Sequence, residues 1–293
     1  MADDLCLMVV HAHPDDEAIS TGGVLARCGG EGVRTVLVTC TDGRCGDGPG
    51  GTKPGDDGHD PEGVVAVRAD ELAASAATLG VRHLVTLGYH DSGMMGWPTN
   101  DDPQAFWQAD VAAAAAPLVD LIRQHRPQVV VTYDANGFYG HPDHIMAHRI
   151  AMVATAVTGI PQRLYYTAVR RSDLVEFRTV LEAAGLEPPA PSDREEGQYA
   201  PPDGDEQPGD EPDWGTPDLL VTTTVDVADH VEAKRASLMA HESQADNVFF
   251  RRLSPDVFAR LFGAEHFVRA VDRTGGPVPE TDLFAGLRPA HGQ

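Results

Sequence analysis

"LCLMVVHAHPDDE", residues 5 to 17, decides how this chain is read. Six apolar residues follow one another without alternation, which marks a strand buried on both faces. Strands of that kind belong to parallel sheets sandwiched between helices. The run then breaks into two histidines and three acids within seven positions. Burying charge without a partner is costly. Either these groups are solvated, or something positive sits among them.

Working outward, strand-like and helix-like segments alternate. "RTVLVTCT" (34–41), "HLVTLGY" (83–89), "QVVVTYD" (128–134) and "RLYYTAV" (163–169) read as further strands. Helices are expected over 18–28, 61–80, 102–127 with a kink at Pro117, 142–159 and 173–185. The alternation predicts an α/β fold: a mostly parallel sheet with helices on both faces. Beyond residue 215, "LLVTTTVDV", a helix at "VADHVEAKRASLMAHES", a helix near 254–262 and a strand at "EHFVRAV" complete the same domain and cover one side of the cleft. A single domain over 1–293 is expected, with a core over 1–170, an acidic loop insert over 186–215 and a completing part over 216–293.

The formal net charge of −23 offers no basic stripe to meet phosphates, so nucleic-acid and anionic-membrane partners are excluded. Residues 192–214, "SDREEGQYAPPDGDEQPGDEPDW", hold many acids, prolines and glycines and almost no aliphatics. Such a segment buries too little apolar surface to order itself and reads as a mobile surface loop. None of the four cysteines forms a CxxC pair, and Cys6 and Cys40 fall in strand-like runs as buried thiols. No signal peptide precedes the first strand, and no apolar run approaches the ~20 residues of a membrane span. A reduced cytoplasmic protein is the simplest expectation.

In open α/β sheets, ligands bind beyond the carboxyl ends of the strands. "HAHPDDE" (11–17), "TDGRCGDG" (41–48) and "DANGFYGHPDH" (134–144) all lie at such ends. His13 and Asp16 are three apart on a tight turn, and His141 and His144 are three apart at a helix start. Each pair alone is explained by caps and turns. Two such clusters at strand ends of one sheet point instead to a 2-His-1-carboxylate site for a divalent metal, either Zn²⁺ or Fe²⁺. Asp15 lies beside a ligand and faces elsewhere, which suits a general base. Its bland alternative is a solvated turn residue or a cap for the helix at 18. His11 reads as a core histidine or as a partner of a ligand, and the first is preferred. Glu17 either caps or orients His13. His141 suits an acid or an electrostatic stabiliser with Asp143 as its carboxylate neighbour, and Tyr139 a polariser of a carbonyl.

"AHPDDE" after the first strand and "YGHPDH" after a later one, with "VTYDANGFYGHPDH", "VRADEL", "HDSGM" and "AHESQ", resemble the GlcNAc-phosphatidylinositol de-N-acetylase (PIG-L/LmbE-like) family. Within it the chain looks most like the actinobacterial mycothiol-pathway enzymes, a deacetylase of N-acetylglucosaminyl-inositol and an amidase of mycothiol conjugates. The resemblance implies a Rossmann-like fold and a Zn²⁺-dependent amide hydrolase, with Fe²⁺ the alternative in vivo. It implies His13, Asp16 and His144 as metal ligands and Asp15 as base. It further implies His141, oriented by Asp143, and Tyr139 at the carbonyl. Arg68 and Asp91 are implied at the sugar hydroxyls, and Asp47 near the cyclitol. The expected partner is a small sugar or pseudodisaccharide, and a homo-oligomer stays open. The sequence departs from the resembled pattern at Phe138, where a glycine is expected, in "TDGRCGDG" and in the 192–214 insert, and Ser20 stands where the conjugate amidase has a lysine. The favoured activity is N-deacetylation of an N-acetylglucosamine-containing glycoside, the alternative a conjugate amidase or an antibiotic-pathway amide hydrolase. A non-catalytic sugar- or metal-binding module is disfavoured by Asp15 beside an intact ligand set, and an iron oxygenase by the α/β pattern.

Overall fold

Val, Leu, Ile and Met runs cannot tolerate water on either side, and the chain places them in the middle of a sheet. The computed structural model describes residues 5–48, 50–186, 215–244 and 250–288. It holds seven strands: β1 Cys6–His11, β2 Arg34–Thr41, β3 His83–Tyr89, β4 Val129–Thr132, β5 Arg163–Ala168, β6 Thr223–Asp226 and β7 Ala264–Asp272. They lie in the order β3-β2-β1-β4-β5-β7-β6. The five strands from β3 to β5 are parallel, and β7 runs antiparallel to both β5 and β6. Met8 pairs across to Val36 on one side and Val130 on the other.

Alternation along each strand feeds two cores, as a period of two requires. Met8, Val10, Val36 and Val38 pack with Leu118, Ile122, Met146 and Ile150 on one face. Leu7, Val9 and Leu37 pack with Val24, Leu25, Leu72 and Leu79 on the other. The first core is covered by α4 (Val111–His125) and α6 (Pro142–Thr158), the second by α2 (Gly22–Gly30) and α3 (Pro61–Thr78). The expected α/β architecture with helices on both faces is what the chain adopts. Short α1 (Asp16–Ser20) and α5 (Gly137–Gly140), with α7 (Arg171–Ala184), α8 (Val231–Ala240) and α9 (Pro255–Phe262), complete the helices treated below.

The strand order reverses direction at β1. From β1 the chain moves outward to β2 and β3, then returns to lay β4 on the other side of β1. This is the topological switch point, where the diverging loops leave a crevice. The two histidine-bearing segments follow β1 and β4, so both open into that crevice.

Two expectations are refined. The helix expected over 102–127 begins only at Val111, where the Asp110 side chain accepts from the Ala113 amide and caps it. The preceding residues form 3₁₀ turns at Pro98–Asp101 and Phe106–Gln108. The helix expected over 18–28 is two helices, α1 and α2, broken at Thr21. The expected acidic insert at 192–214 lies outside the described residues. The cysteines are free, and burial raises the thiol pKa of Cys28 and Cys40. Among the described residues no helix is long and apolar enough to cross a membrane.

Candidate active site

Beyond His11 the chain must turn at once into α1, and the turn is strained. Asp15 has φ 115° and ψ −28°, a left-handed conformation that costs a non-glycine residue about 1–3 kcal/mol. Such geometry persists only where surrounding groups hold it. The Asp15 amide donates to Glu17 Oε2 at 3.0 Å, and Arg68 Nη2 donates to Asp15 Oδ2 at 3.1 Å and to the Pro14 carbonyl. Arg68 Nη1 donates to the Gly43 carbonyl at 2.8 Å, tying the loop after β2 to the same point. Burial raises the Asp15 pKa to about 6, against the pull of Arg68.

The loop after β4 is also forced. Gly137 has φ 63°, and a Cβ there would lie 2.8 Å from the Cβ of His144 and from the Ile145 amide nitrogen. Only glycine allows the turn to pass so close to the helix that carries His144. Phe138 follows at φ 67° and ψ −72°, a strained position for a side chain. It is the position where the family pattern has glycine. The Phe138 amide donates to Asp134 Oδ1 at 2.9 Å. α6 then starts with His141 as N-cap, whose Nδ1 accepts from the Asp143 amide at 3.1 Å, and Pro142 at its first position.

These turns, with Asp91 from the loop after β3, bring together six histidine and carboxylate groups. His13 Nδ1 lies 3.4 Å from Asp16 Oδ2, and His13 Nε2 lies 3.2 Å from Asp143 Oδ2 and 3.5 Å from Asp91 Oδ1. His144 Nε2 lies 3.5 Å from Asp16 Oδ1. One ligand atom from each of His13, His141 and His144 falls within 4.8 Å of the others, as do atoms of His13, Asp91, His141 and Asp143. Burial disfavours a charged His13, but Asp91, Asp143 and Asp16 outweigh it and hold its pKa well above the ordinary value. Burial likewise opposes ionisation of Asp16, yet His144 and His13 hold its carboxyl well below the usual range.

His144 tests whether the cluster fits a metal. It is 2% exposed, its ring stacks on Tyr133 at 4.1 Å and meets the Gly137 backbone, and its Nε2, 3.5 Å from Asp16 Oδ1, makes no hydrogen bond. Burial pushes its pKa down to about 4, so the ring is neutral. A buried polar atom without a partner is expensive, and a neutral imidazole is the form that ligates metals. The Asp16 carboxylate lies between the two rings, Oδ2 toward His13 and Oδ1 toward His144. His13, His141 and His144 lie close enough for one cation to meet all three, and Asp16 adjoins two of them, so the cluster could hold a divalent cation.

The other assigned residues are placed as follows. His141 is held well below the ordinary histidine pKa by burial and by His13 and His144. With Nδ1 accepting from an amide, its ring proton sits on Nε2, which makes His141 a neutral donor. The Asp143 carboxylate does not reach His141. It accepts from Ser92 N at 2.8 Å and Ser92 Oγ at 2.5 Å and faces His13, while the Asp143 amide orients His141. The Tyr139 ring stands edge-on 5.1 Å from His144 and 6.0 Å from His141, and burial raises its pKa, keeping the phenol protonated. Asp91 is 5% exposed, with oxygens accepting from the Gly93 amide at 2.8 Å and the Cys45 amide at 3.3 Å. Asp47 is bonded to Lys53 Nζ at 2.7 Å. Three functional neighbours had no place in the motif reading. Tyr133 donates to Asp16 Oδ2 at 2.7 Å, Ser92 anchors Asp143, and His241 reaches Glu17 at 2.8 Å. Each lies in a segment quoted for its family resemblance, "VTYD", "HDSGM" and "AHESQ", which was the available signal.

The profile of the family described as GlcNAc-PI de-N-acetylase matches residues 8–155. The 1D-myo-inositol 2-acetamido-2-deoxy-alpha-D-glucopyranoside deacetylase of Acidothermus cellulolyticus is 44% identical to this chain, over 96% of this chain and 94% of its own length. The N,N'-diacetylchitobiose deacetylase of Pyrococcus horikoshii is similar in structure, with a TM-score of 0.56 at 20% identity over 90% of this chain and 83% of its own. So is GalB, the 4-carboxy-2-hydroxymuconate hydratase of Pseudomonas putida KT2440, with a TM-score of 0.58 at 16% identity over 93% and 99%. A deacetylase and a hydratase on one fold show that the architecture alone does not choose the chemistry. The sequence does choose: from its first strand through α6, this chain belongs to the GlcNAc-PI de-N-acetylase family and is an amide hydrolase.

Proposed function

We propose that the chain hydrolyses the acetamide of 1D-myo-inositol 2-acetamido-2-deoxy-α-D-glucopyranoside, releasing acetate and the free amine, with Zn²⁺ as its metal. The observation that carries this reading is the buried cluster of His13, His141 and His144 beside Asp16, with Asp15 next to Asp16 in the chain and bonded to Arg68. A bound divalent cation supplies Lewis acidity, lowering the pKa of water and withdrawing charge from a carbonyl. Asp15 takes the proton of the attacking water. Tyr139, kept protonated, donates to the carbonyl oxygen as it gains charge, and His141 donates from Nε2 to the same developing charge. Asp15 then returns its proton to the departing amine. His13, Asp16 and His144 hold the cation, and Tyr133 and the His13 amide fix the Asp16 carboxylate.

Asp15→Asn should keep the metal and lose about 10²–10⁴ in acetate release, the size of a general-base contribution. Unchanged turnover removes Asp15 from the mechanism, and loss of metal makes it a ligand. His144→Ala should lose metal and activity together. Near-stoichiometric metal in that variant, measured by elemental analysis, overturns the ligand set.

A further inference from the structure

Glu17 is fully buried and adjoins the metal site without facing it. Its two oxygens collect three donors. Oε2 accepts from the Asp15 amide at 3.0 Å. Oε1 accepts from the Ser75 hydroxyl on α3 and from His241 Nε2 at 2.8 Å. His241 is itself fully buried and terminates α8, 224 residues along the chain. Ser75 Oγ also contacts Ser237 Oγ at 2.6 Å, so α8 reaches this carboxylate by two routes. The network ends on the amide of the one residue in the first motif loop whose φ lies in the left-handed region.

We propose that Glu17 and His241 form a positioning pair that holds the strained Asp15 backbone so that its carboxylate addresses the reacting water. The proposal rests on the reading of Asp15 as general base. Arg68 holds the Asp15 side chain from one side, and Glu17 holds its amide from the other. The two restraints clamp one peptide unit at both ends, Arg68 at the Pro14 carbonyl and Glu17 at the Asp15 amide, while the same guanidinium holds the Asp15 carboxylate. His241 and Ser75 together occupy Oε1, which fixes the Glu17 side chain and leaves Oε2 aimed at the Asp15 amide. The C-terminal part of the chain thereby sets the aim of a residue in the first loop.

The test is a set of variants on the metal-loaded full chain, assayed for acetate release. Glu17→Gln keeps the shape but offers one acceptor oxygen where three donors converge. Its kcat should fall about 10- to 100-fold, with KM within about two-fold and metal content unchanged. In the Asp15→Asn background the same substitution should cost nothing further, because a positioning residue acts only through the residue it positions. His241→Gln, which still donates to Glu17, should retain most of the rate that His241→Ala loses. Wild-type kcat in Glu17→Gln, or an equal loss from Glu17→Gln in the Asp15→Asn background, overturns the pair while the role of Asp15 stands. Full turnover in Asp15→Asn alone overturns both. Should Glu17→Gln fail to fold, the two His241 variants decide: equal rates in both overturn the pair, and rescue by glutamine supports it.

Discussion

Arg68 is 3% exposed, and its planar fork of donors is spent on the protein: Gly43 and Pro14 carbonyls and the Asp15 carboxylate. A lysine cannot reproduce that fork, since it offers one point charge on a flexible stem. Arg68→Ala and Arg68→Lys should therefore both lower kcat/KM by about 10²-fold, the smaller end of a general-base loss. The loss should be the same for the sugar substrate and for a minimal acetamide without hydroxyls, because both need Asp15 aimed. A loss confined to the sugar substrate would return Arg68 to the sugar hydroxyls, where the family resemblance puts it. That the two histidine-bearing loops meet was legible from spacing, since His13 with Asp16 and His141 with His144 are local pairs at strand ends. The identity of their outer partners was not. Ser92, Tyr133 and His241 reach the site from β3, β4 and α8, and no spacing rule connects residues separated by 51, 117 or 224 positions.

At the scale of elements, strands β1 to β5 were legible to within about two residues because each carries a run of aliphatic or aromatic residues, buried on both faces in β1, β2 and β4. α4 was not, and its residues show why. "DPQAFWQAD" before it carries apolar and helix-compatible side chains, yet its backbone turns twice as 3₁₀, and the helix starts only where Asp110 can cap it. Pro117 stands inside the helix, exposed, at the seventh helical position. It removes the amide that would donate to the Ala113 carbonyl, a defect of about 3 kcal/mol in a helix interior. The same ring stiffens the unfolded chain, which offsets about 0.4–1 kcal/mol. Pro117→Ala should stabilise the protein by roughly 2 kcal/mol, seen as a rise in Tm of about 4–8 °C. A fall in Tm would mean that the helix is bent to suit the proline and that its packing on α6 depends on the bend.

At the scale of the molecule, buried ion pairs tie the C-terminal part to β5 and α1 and brace it internally. Glu280 meets Arg163 at 2.5 Å, His241 meets Glu17 at 2.8 Å, and Lys234 meets Glu265 at 2.7 Å. Glu265 shows the consequence. It sits on β7, 3% exposed in its side chain, and its oxygens accept from the Gly23 and Val24 amides at 2.7 and 2.8 Å as well as from Lys234. Those amides are orphan donors at the start of α2, where a carboxylate also meets the positive end of the helix dipole. Removing one partner of a buried pair leaves a charge with neither water nor counter-ion, at a cost of about 3–5 kcal/mol. Glu265→Ala should lose that much in urea unfolding, because Lys234 and two amides are abandoned together. Combining Glu265→Gln with Lys234→Met should recover more than half of the loss, since glutamine still accepts from an amide and no charge is left buried. The metal ligands touch none of these groups, so metal content should stay stoichiometric in the double variant. A Glu265→Ala loss below about 1 kcal/mol, the size of an exposed pair, would mean that water reaches the pair and that β7 is held to α2 by packing alone.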